Sequence, residues 1–214
     1  MKKIKFKTIS KNQLSDTVTP VGLYSKIRDK YANSLLLEGS DYHSKEESYT
    51  FLCADPIITL KADKNKFTYS YKGRELDSKE INRDFYSIFE NYKSIVDVDC
   101  DESVKSFNGF YGYISYNSIQ YFETIKLKAK KAPSEIPDLQ FSFFRFVIAI
   151  NHFNDELTLI ENIEEGEESR INEMETLINS RTYGLYKFEI EGEESSNITD
   201  EHFKNNVAKA KQHC

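Results

Sequence analysis

No stretch of these 214 residues approaches the roughly 18 consecutive apolar residues a helix needs to cross a bilayer. The basic start, Met1 to Lys7, lacks the apolar centre of a signal peptide. Cysteine is scarce: Cys53, Cys100 and Cys214 are odd in number and far apart, which argues against a disulfide framework and for reduced thiols. Basic excess is missing too. The 29 Lys and Arg face 35 Asp and Glu, and the net charge of −6 is spread along the chain, so no nucleic-acid face is expected. The four histidines, His43, His152, His202 and His213, are scattered, and none pairs with an acid or cysteine at metal-ligand spacing. There is no GxSxG elbow, HExxH, P-loop or GxGxxG. No repeat with a period of about 20 to 50 residues marks a solenoid or propeller. These absences lead to the expectation of a soluble, cytoplasmic protein with neither membrane nor nucleic-acid partner, and with no catalytic or metal-ligating residue.

What is present is aromatic. Apolar residues make up 39%, slightly lean for a globular chain, but 14 Tyr and 15 Phe bury large areas per side chain. Thr19 and Pro20 read as the cap and first residue of a helix over 20–31. The leucine run predicts a strand at 34–38. Strands follow at 49–54, 57–62 and 66–71, with breaks at Asp55-Pro56, Asp63 to Asn65 and Lys72-Gly73. The stripe Ile81, Phe85, Ile88, Phe89 and Tyr92 predicts a helix over 79–94. The acidic stretch after it, "DVDCDES", reads as a loop. Further strands are expected at 107–116, 140–153 and 156–162, and a helix at 168–180. Residues 187–200 read as a short strand mixed with a polar linker, and Thr199 as the cap of a last helix that runs to Cys214. That helix has no closing glycine, so the chain looks cut within an element. The fold class is α+β: a largely antiparallel sheet with amphipathic helices packed on it.

Few residues suggest chemistry. "LLLEGSDYH" runs three leucines into Glu38, Gly39, Ser40 and Asp41, which is either a strand-ending turn or the polar end of a ligand pocket. In "NGFYGY", Gly109 and Gly112 sit on an aromatic strand with no helix N-terminus to hold phosphate. The simpler explanation is close backbone packing. His152 ends a buried-looking strand and reads as a hydrogen-bonded structural residue. The acids around Glu164 to Glu168 suit a helix start, and "KLKAKK" reads as a solvated connection or a docking patch.

Taken in order, "TPVGLYSKIRDKYANSLLLEGSDYHSKEESYTFLCADP", "NGFYGYISYNSIQYFE" and "IPDLQFSFFRFVIAINHF" resemble the N-terminal domain of anthranilate synthase component I. "ITDEHFKNNVAKAKQHC" is similar to the first helix of that family's chorismate-binding domain. The resemblance spans roughly residues 18 to 214. It implies an N-terminal regulatory domain over 1–190, forming half of a four-layer sandwich, and a linker with the first helix of a truncated chorismate-binding domain over 191–214. Full-length family members are lyases that make anthranilate from chorismate in tryptophan biosynthesis. They use ammonia from a glutamine amidotransferase subunit (component II) and Mg2+ held by the later domain. The partners implied are that subunit, the chain's own C-terminal chorismate-binding domain and L-tryptophan as feedback inhibitor.

The family's "LLES" segment lines the tryptophan site, which implies a ligand role for Leu37, Glu38, Gly39 and Ser40; Leu36, Leu37 and Glu38 match it directly. The family serine falls on Gly39, with Ser40 one place later. A lost hydrogen bond to a charged ligand group costs about 1.5–3 kcal/mol. Two alternatives share the sequence features: an aminodeoxychorismate synthase component I portion, and a non-catalytic interaction module. Because half the sandwich would lie outside the chain, exposed apolar surface or self-association is expected.

Overall fold

The computed structural model describes residues 3–39, 48–82, 84–125, 127, 136–181 and 187–213. Its elements are β1 (Ile4–Leu14), α1 (Pro20–Lys30), β2 (Leu35–Glu38), β3 (Tyr49–Asp63), β4 (Lys66–Tyr71) and β5 (Arg74–Glu80). They continue with α2 (Phe85–Lys93), β6 (Val96–Asp99), α3 (Glu102–Lys105), β7 (Phe110–Ile114) and α4 (Ile119–Phe122). Last come β8 (Leu139–Asn151), β9 (Glu156–Glu164), α5 (Ile171–Asn179) and α6 (Asp200–Lys211). Two units divide the chain, Met1–Gly184 and Leu185–Cys214.

The first unit is one mixed sheet in the order β5-β4-β3-β8-β9-β1-β6, with β2 also paired to β3 and β7 to β8. All pairs are antiparallel except β1 with β6. Each of the two long central strands takes two partners in succession on its outer side. Residues 50–53 of β3 meet β2 and residues 58–63 meet β4; residues 139–143 of β8 meet β7 and residues 146–151 meet β9. The division falls at an irregularity in β3 between Pro56 and Ile58, where Asp55 has φ 60°. Asp55-Pro56 is therefore a bulge inside a 15-residue strand and not the expected turn. Pairing with β8 on both sides of it overrides the local turn chemistry.

Three buried clusters fill the unit. Phe67, Tyr69, Phe85, Tyr92 and Phe143 centre the first, under α2, with Tyr92 stacked on Phe67 and Tyr69 at 5.3 and 5.1 Å. α1 and α5 cover the second, which holds Leu23, Ile27, Leu52, Phe146, Ile148 and Met174. The third holds Cys53, Val104, Phe144, Val147 and Ile160. Period-2 alternation along β3, β8 and β9 sends neighbouring residues to the second or the third cluster, so β8 is buried on both faces.

Thr19 caps α1 as expected, its Oγ1 accepting from the Gly22 N–H. From α1, the buried Lys26 donates its Nζ to the carbonyls of Ile178 and Ser180, binding the C-terminal end of α5 to α1. Burial of the ammonium lowers the Lys26 pKa from its ordinary value.

Several expected boundaries move. Residues 79–80 belong to β5, so the helix expected at 79–94 starts only at Phe85. "VDVD" is the edge strand β6, not a loop, and Lys5 and Lys7 of the basic start belong to β1. Much of the basic connection before Ile136 lies outside the described residues. In the second unit, Thr199 caps α6 by accepting from the His202 N–H. Residues 187–198 form no strand, because no neighbouring strand pairs with their backbone among the described residues.

Candidate functional site

The leucine run is a four-residue strand on the edge of β3. Leu35 lies opposite Cys53, Leu36 opposite Leu52, Leu37 opposite Phe51 and Glu38 opposite Thr50. Residues directly opposite share a face, so Leu37 and Glu38 point to opposite sides of the sheet. Leu37 belongs to the side of an aromatic group in which Phe51 packs against Tyr49, Phe107 and Tyr111 with ring centres 6.0, 6.0 and 5.3 Å apart. Glu38 is exposed, on the side of the α1 and α5 layer.

Gly39 continues the pairing for one more residue. Its N–H donates to the Tyr49 carbonyl at 3.1 Å, and its carbonyl accepts from Ser48 Oγ at 3.4 Å. A Cβ built on Gly39 would lie 2.8 Å from the Tyr49 oxygen. A serine here would have to push β2 away from β3, which supplies a packing reason for glycine where the resembled family has serine. Ser40 lies outside the described residues.

Thr50, which the sequence does not single out, and His152 complete this end of the sheet. Thr50, fully buried, is cross-strand from both Glu38 and Ile150. Its Oγ1 lies 2.7 Å from Nε2 of His152, whose backbone N–H donates to the Ser48 carbonyl. His152 is thus hydrogen-bonded as expected, yet its ring is exposed rather than buried. Glu38, Thr50 and His152 share one face only because of the β2–β3–β8 register, which no local pattern in the sequence reveals.

The two glycines of "NGFYGY" part company. A Cβ on Gly112 would fall 1.9 Å from the Gln140 carbonyl oxygen, whereas a Cβ on Gly109 would meet nothing within 4 Å. Close packing thus explains Gly112 alone. Asn108 is held by its side chain: Nδ2 donates to Thr8 Oγ1 and Asn162 Oδ1, and Oδ1 accepts from Asn162 Nδ2.

The largest polar feature joins β8 and β9 to the turn before α5. Glu161, fully buried, accepts from Arg145 Nε at 2.9 Å, Ser169 Oγ at 2.7 Å and the Arg170 N–H. The other Arg145 nitrogens donate to Glu167 and to the Glu168 carbonyl. Lys72, in the β4–β5 turn, pairs with Glu164 and Glu167. The Lys72 hydrogen bond is the main reason that the Glu167 carboxyl titrates below its ordinary range. Every donor here has a partner inside the protein, which marks a structural clasp. Beside it, an open cavity of about 410 Å³ is lined by Lys5, Lys7, Asp99, Glu164 and Glu165 among others, and by no serine, cysteine or histidine.

Among the described residues, no three His, Cys, Asp or Glu side chains are placed to hold a metal ion. The described part of the chain thus offers a strand-end cluster able to bind polar groups. The profile of the chorismate binding enzyme family matches residues 37–214. The chain belongs to this family. Its match begins inside β2, so Glu38, Gly39, Thr50 and His152 all lie within the family's matched region.

Similar proteins include anthranilate synthase component 1 of Methanothermobacter thermautotrophicus, 27% identical over 164 residues that cover 76% of this chain and 32% of the relative. The chloroplastic anthranilate synthase alpha subunit 1 of Oryza sativa subsp. indica is 25% identical, with 93% and 40% covered. The crystal structure of anthranilate synthase component I from Streptococcus pneumoniae TIGR4 gives a TM-score of 0.42 at 18% identity, covering 78% of this chain and 34% of that one. The chain spans about a third of the length of the first of these curated relatives and two fifths of the second.

Proposed function

We propose that this chain is the regulatory and structural portion of an anthranilate synthase component I. In its full-length form the enzyme is a cytoplasmic lyase that converts chorismate to anthranilate, with ammonia supplied by a glutamine amidotransferase subunit. The observation that carries this reading is the family match across residues 37–214, together with relatives named as anthranilate synthase component 1 or alpha subunit. Mg2+ is assigned to the C-terminal chorismate-binding domain of the full-length enzyme. The described residues here bring no metal-ligand set together.

In this reading the end of β2 is one wall of a tryptophan feedback site formed by Leu37, Glu38, Gly39 and Ser40. Glu38 has the charge to receive the ligand's ammonium and stands exposed to do so. Enclosing the indole requires apolar surface from the domain that completes the protein, since a large aromatic ring contributes a few kcal/mol only when buried. Exposed Ile114, Tyr116, Phe122 and Ile125, around β7 and α4, are available for that domain packing.

The isolated chain should not turn over chorismate. Incubation with chorismate, ammonia and Mg2+, followed by anthranilate fluorescence, should give no product above the protein-free control. Sustained turnover proportional to protein concentration would place a complete catalytic centre within these residues and end this reading.

A further inference from the structure

We propose that Asn108-Gly109 is a modification site, a deamidation bond that the closed sheet protects and whose reaction releases β7. The inference is independent of the chorismate reading, since it rests on a ring of side chains joining β1 and β9 to the segment before β7.

Asn108-Gly109 is the only Asn-Gly pair in the chain. An asparagine followed by glycine loses its side-chain amide readily, because no side chain shields the next backbone nitrogen. That nitrogen, deprotonated by solvent base, attacks Asn108 Cγ. An N–Cγ bond forms, the Cγ–Nδ2 bond breaks, and Nδ2 takes up a proton and leaves as ammonia. Water then opens the succinimide ring at either carbonyl, leaving an aspartyl or isoaspartyl residue at position 108. The net change is water in and ammonia out. Packing does not demand glycine here: a Cβ on Gly109 would meet nothing within 4 Å.

What opposes the reaction is the hydrogen bonding around the amide. Nδ2 of Asn108 donates both protons, to Thr8 Oγ1 at 2.9 Å and to Asn162 Oδ1 at 2.8 Å. Its Oδ1 accepts from Asn162 Nδ2 at 3.0 Å. Thr8, cross-strand from Asn162, closes the ring by donating to Asn162 Oδ1 at 2.7 Å. Attack at Cγ requires the amide to turn back toward its own backbone, which breaks all three bonds of Asn108.

The product does not fit the same place. Asn162 is fully buried, and its Nδ2 also donates to the Phe144 carbonyl. That bond fixes the direction of the Asn162 amide, so Oδ1 must face position 108. A carboxylate there has no N–H to offer, and Thr8 has a single hydroxyl proton. Two acceptors are therefore left facing each other with no proton between them, beside a new negative charge. β7 begins two residues on, at Phe110, so the disturbed ring is the anchor at its start.

The test holds the purified 214-residue chain at mildly alkaline pH, native and in urea. Peptide mapping by mass spectrometry follows conversion of amide to acid at position 108. The native chain should convert at least about tenfold more slowly than the unfolded one, since its hydrogen bonds must break first. Gly109→Ala should slow conversion in both states. Thr8→Val should bring the native rate toward the unfolded one, whereas Thr8→Ser, which keeps the hydroxyl, should not. Asn108→Asp, the direct product, should melt below the parent and lose hydrogen-exchange protection first in β7. The native-against-urea comparison uses only unmodified protein, so it stands even if a variant misfolds. Native conversion as fast as that in urea would overturn the protection, and Asn108→Asp melting with the parent would overturn the release of β7.

Discussion

Replacing Arg145 by alanine should destabilise the protein by about 3–5 kcal/mol, because the fully buried Glu161 carboxylate loses the cation that faces it. For a chain of this size, that loss lowers Tm by roughly 6–20 °C. Ser169 and the Arg170 N–H still donate to Glu161, but neither carries a full charge to neutralise it. The same substitution leaves Glu167 to Lys72 alone and frees the Glu168 carbonyl, so the turn that delivers α5 to the sheet loses part of its tether. Replacing both partners with apolar residues of similar volume, as in Arg145→Met with Glu161→Leu, should recover most of the loss. Thermal unfolding followed by circular dichroism checks both. If the single variant melts within about 2 °C of the parent, Glu161 does not depend on Arg145.

The second large effect is at Gly112. It pairs with Phe141 in β8, and a Cβ there would sit 1.9 Å from the Gln140 oxygen and 2.7 Å from the Phe141 Cα. These obstacles are backbone atoms of a strand buried on both faces, so they cannot rotate away. Gly112→Ala should therefore cost about 3 kcal/mol, and β7 should lose hydrogen-exchange protection before the rest of the sheet. Gly109→Ala, three residues earlier and in open space, should leave stability unchanged or raise it by up to about 1 kcal/mol. Urea unfolding of the pair is the measurement. Equal midpoints for the two variants would contradict the close-approach account.

Much of this architecture is legible from local pattern. The Thr19-Pro20 start of α1, the alternation in β4 and the apolar stripe of α5 each agree with what packs around them. What escaped is the part set by distant neighbours. In β1, Ile4, Phe6 and Thr8 alternate with Lys5 and Lys7, a short pattern that becomes a strand because β9 and β6 pair with it on either side. β5, "RELDSKE", has no apolar face to announce it and exists because β4 offers a partner. Asp55-Pro56 carries turn chemistry, yet β8 pairs on both sides of it. The parallel pairing of β1 with β6 joins segments some ninety residues apart, beyond any local signal.

The candidate site divides in the same way. That a polar cluster ends the leucine run at Glu38 and Gly39 is visible in the sequence. That Leu37 and Glu38 serve opposite faces follows from strand periodicity once the strand is granted. The meeting of Glu38 with Thr50 and His152 is a matter of register and belongs to the fold alone.

The most direct test of the central claim is made in the full-length enzyme that contains this chain, by measuring tryptophan inhibition as the ratio of ammonia-dependent turnover with and without tryptophan. Glu38→Ala should raise the tryptophan concentration needed for half-inhibition by roughly ten- to a hundredfold, the loss expected when a charged hydrogen bond to the ligand ammonium is removed. An inhibition curve that overlays the parent's would contradict the account and reduce the end of β2 to a turn.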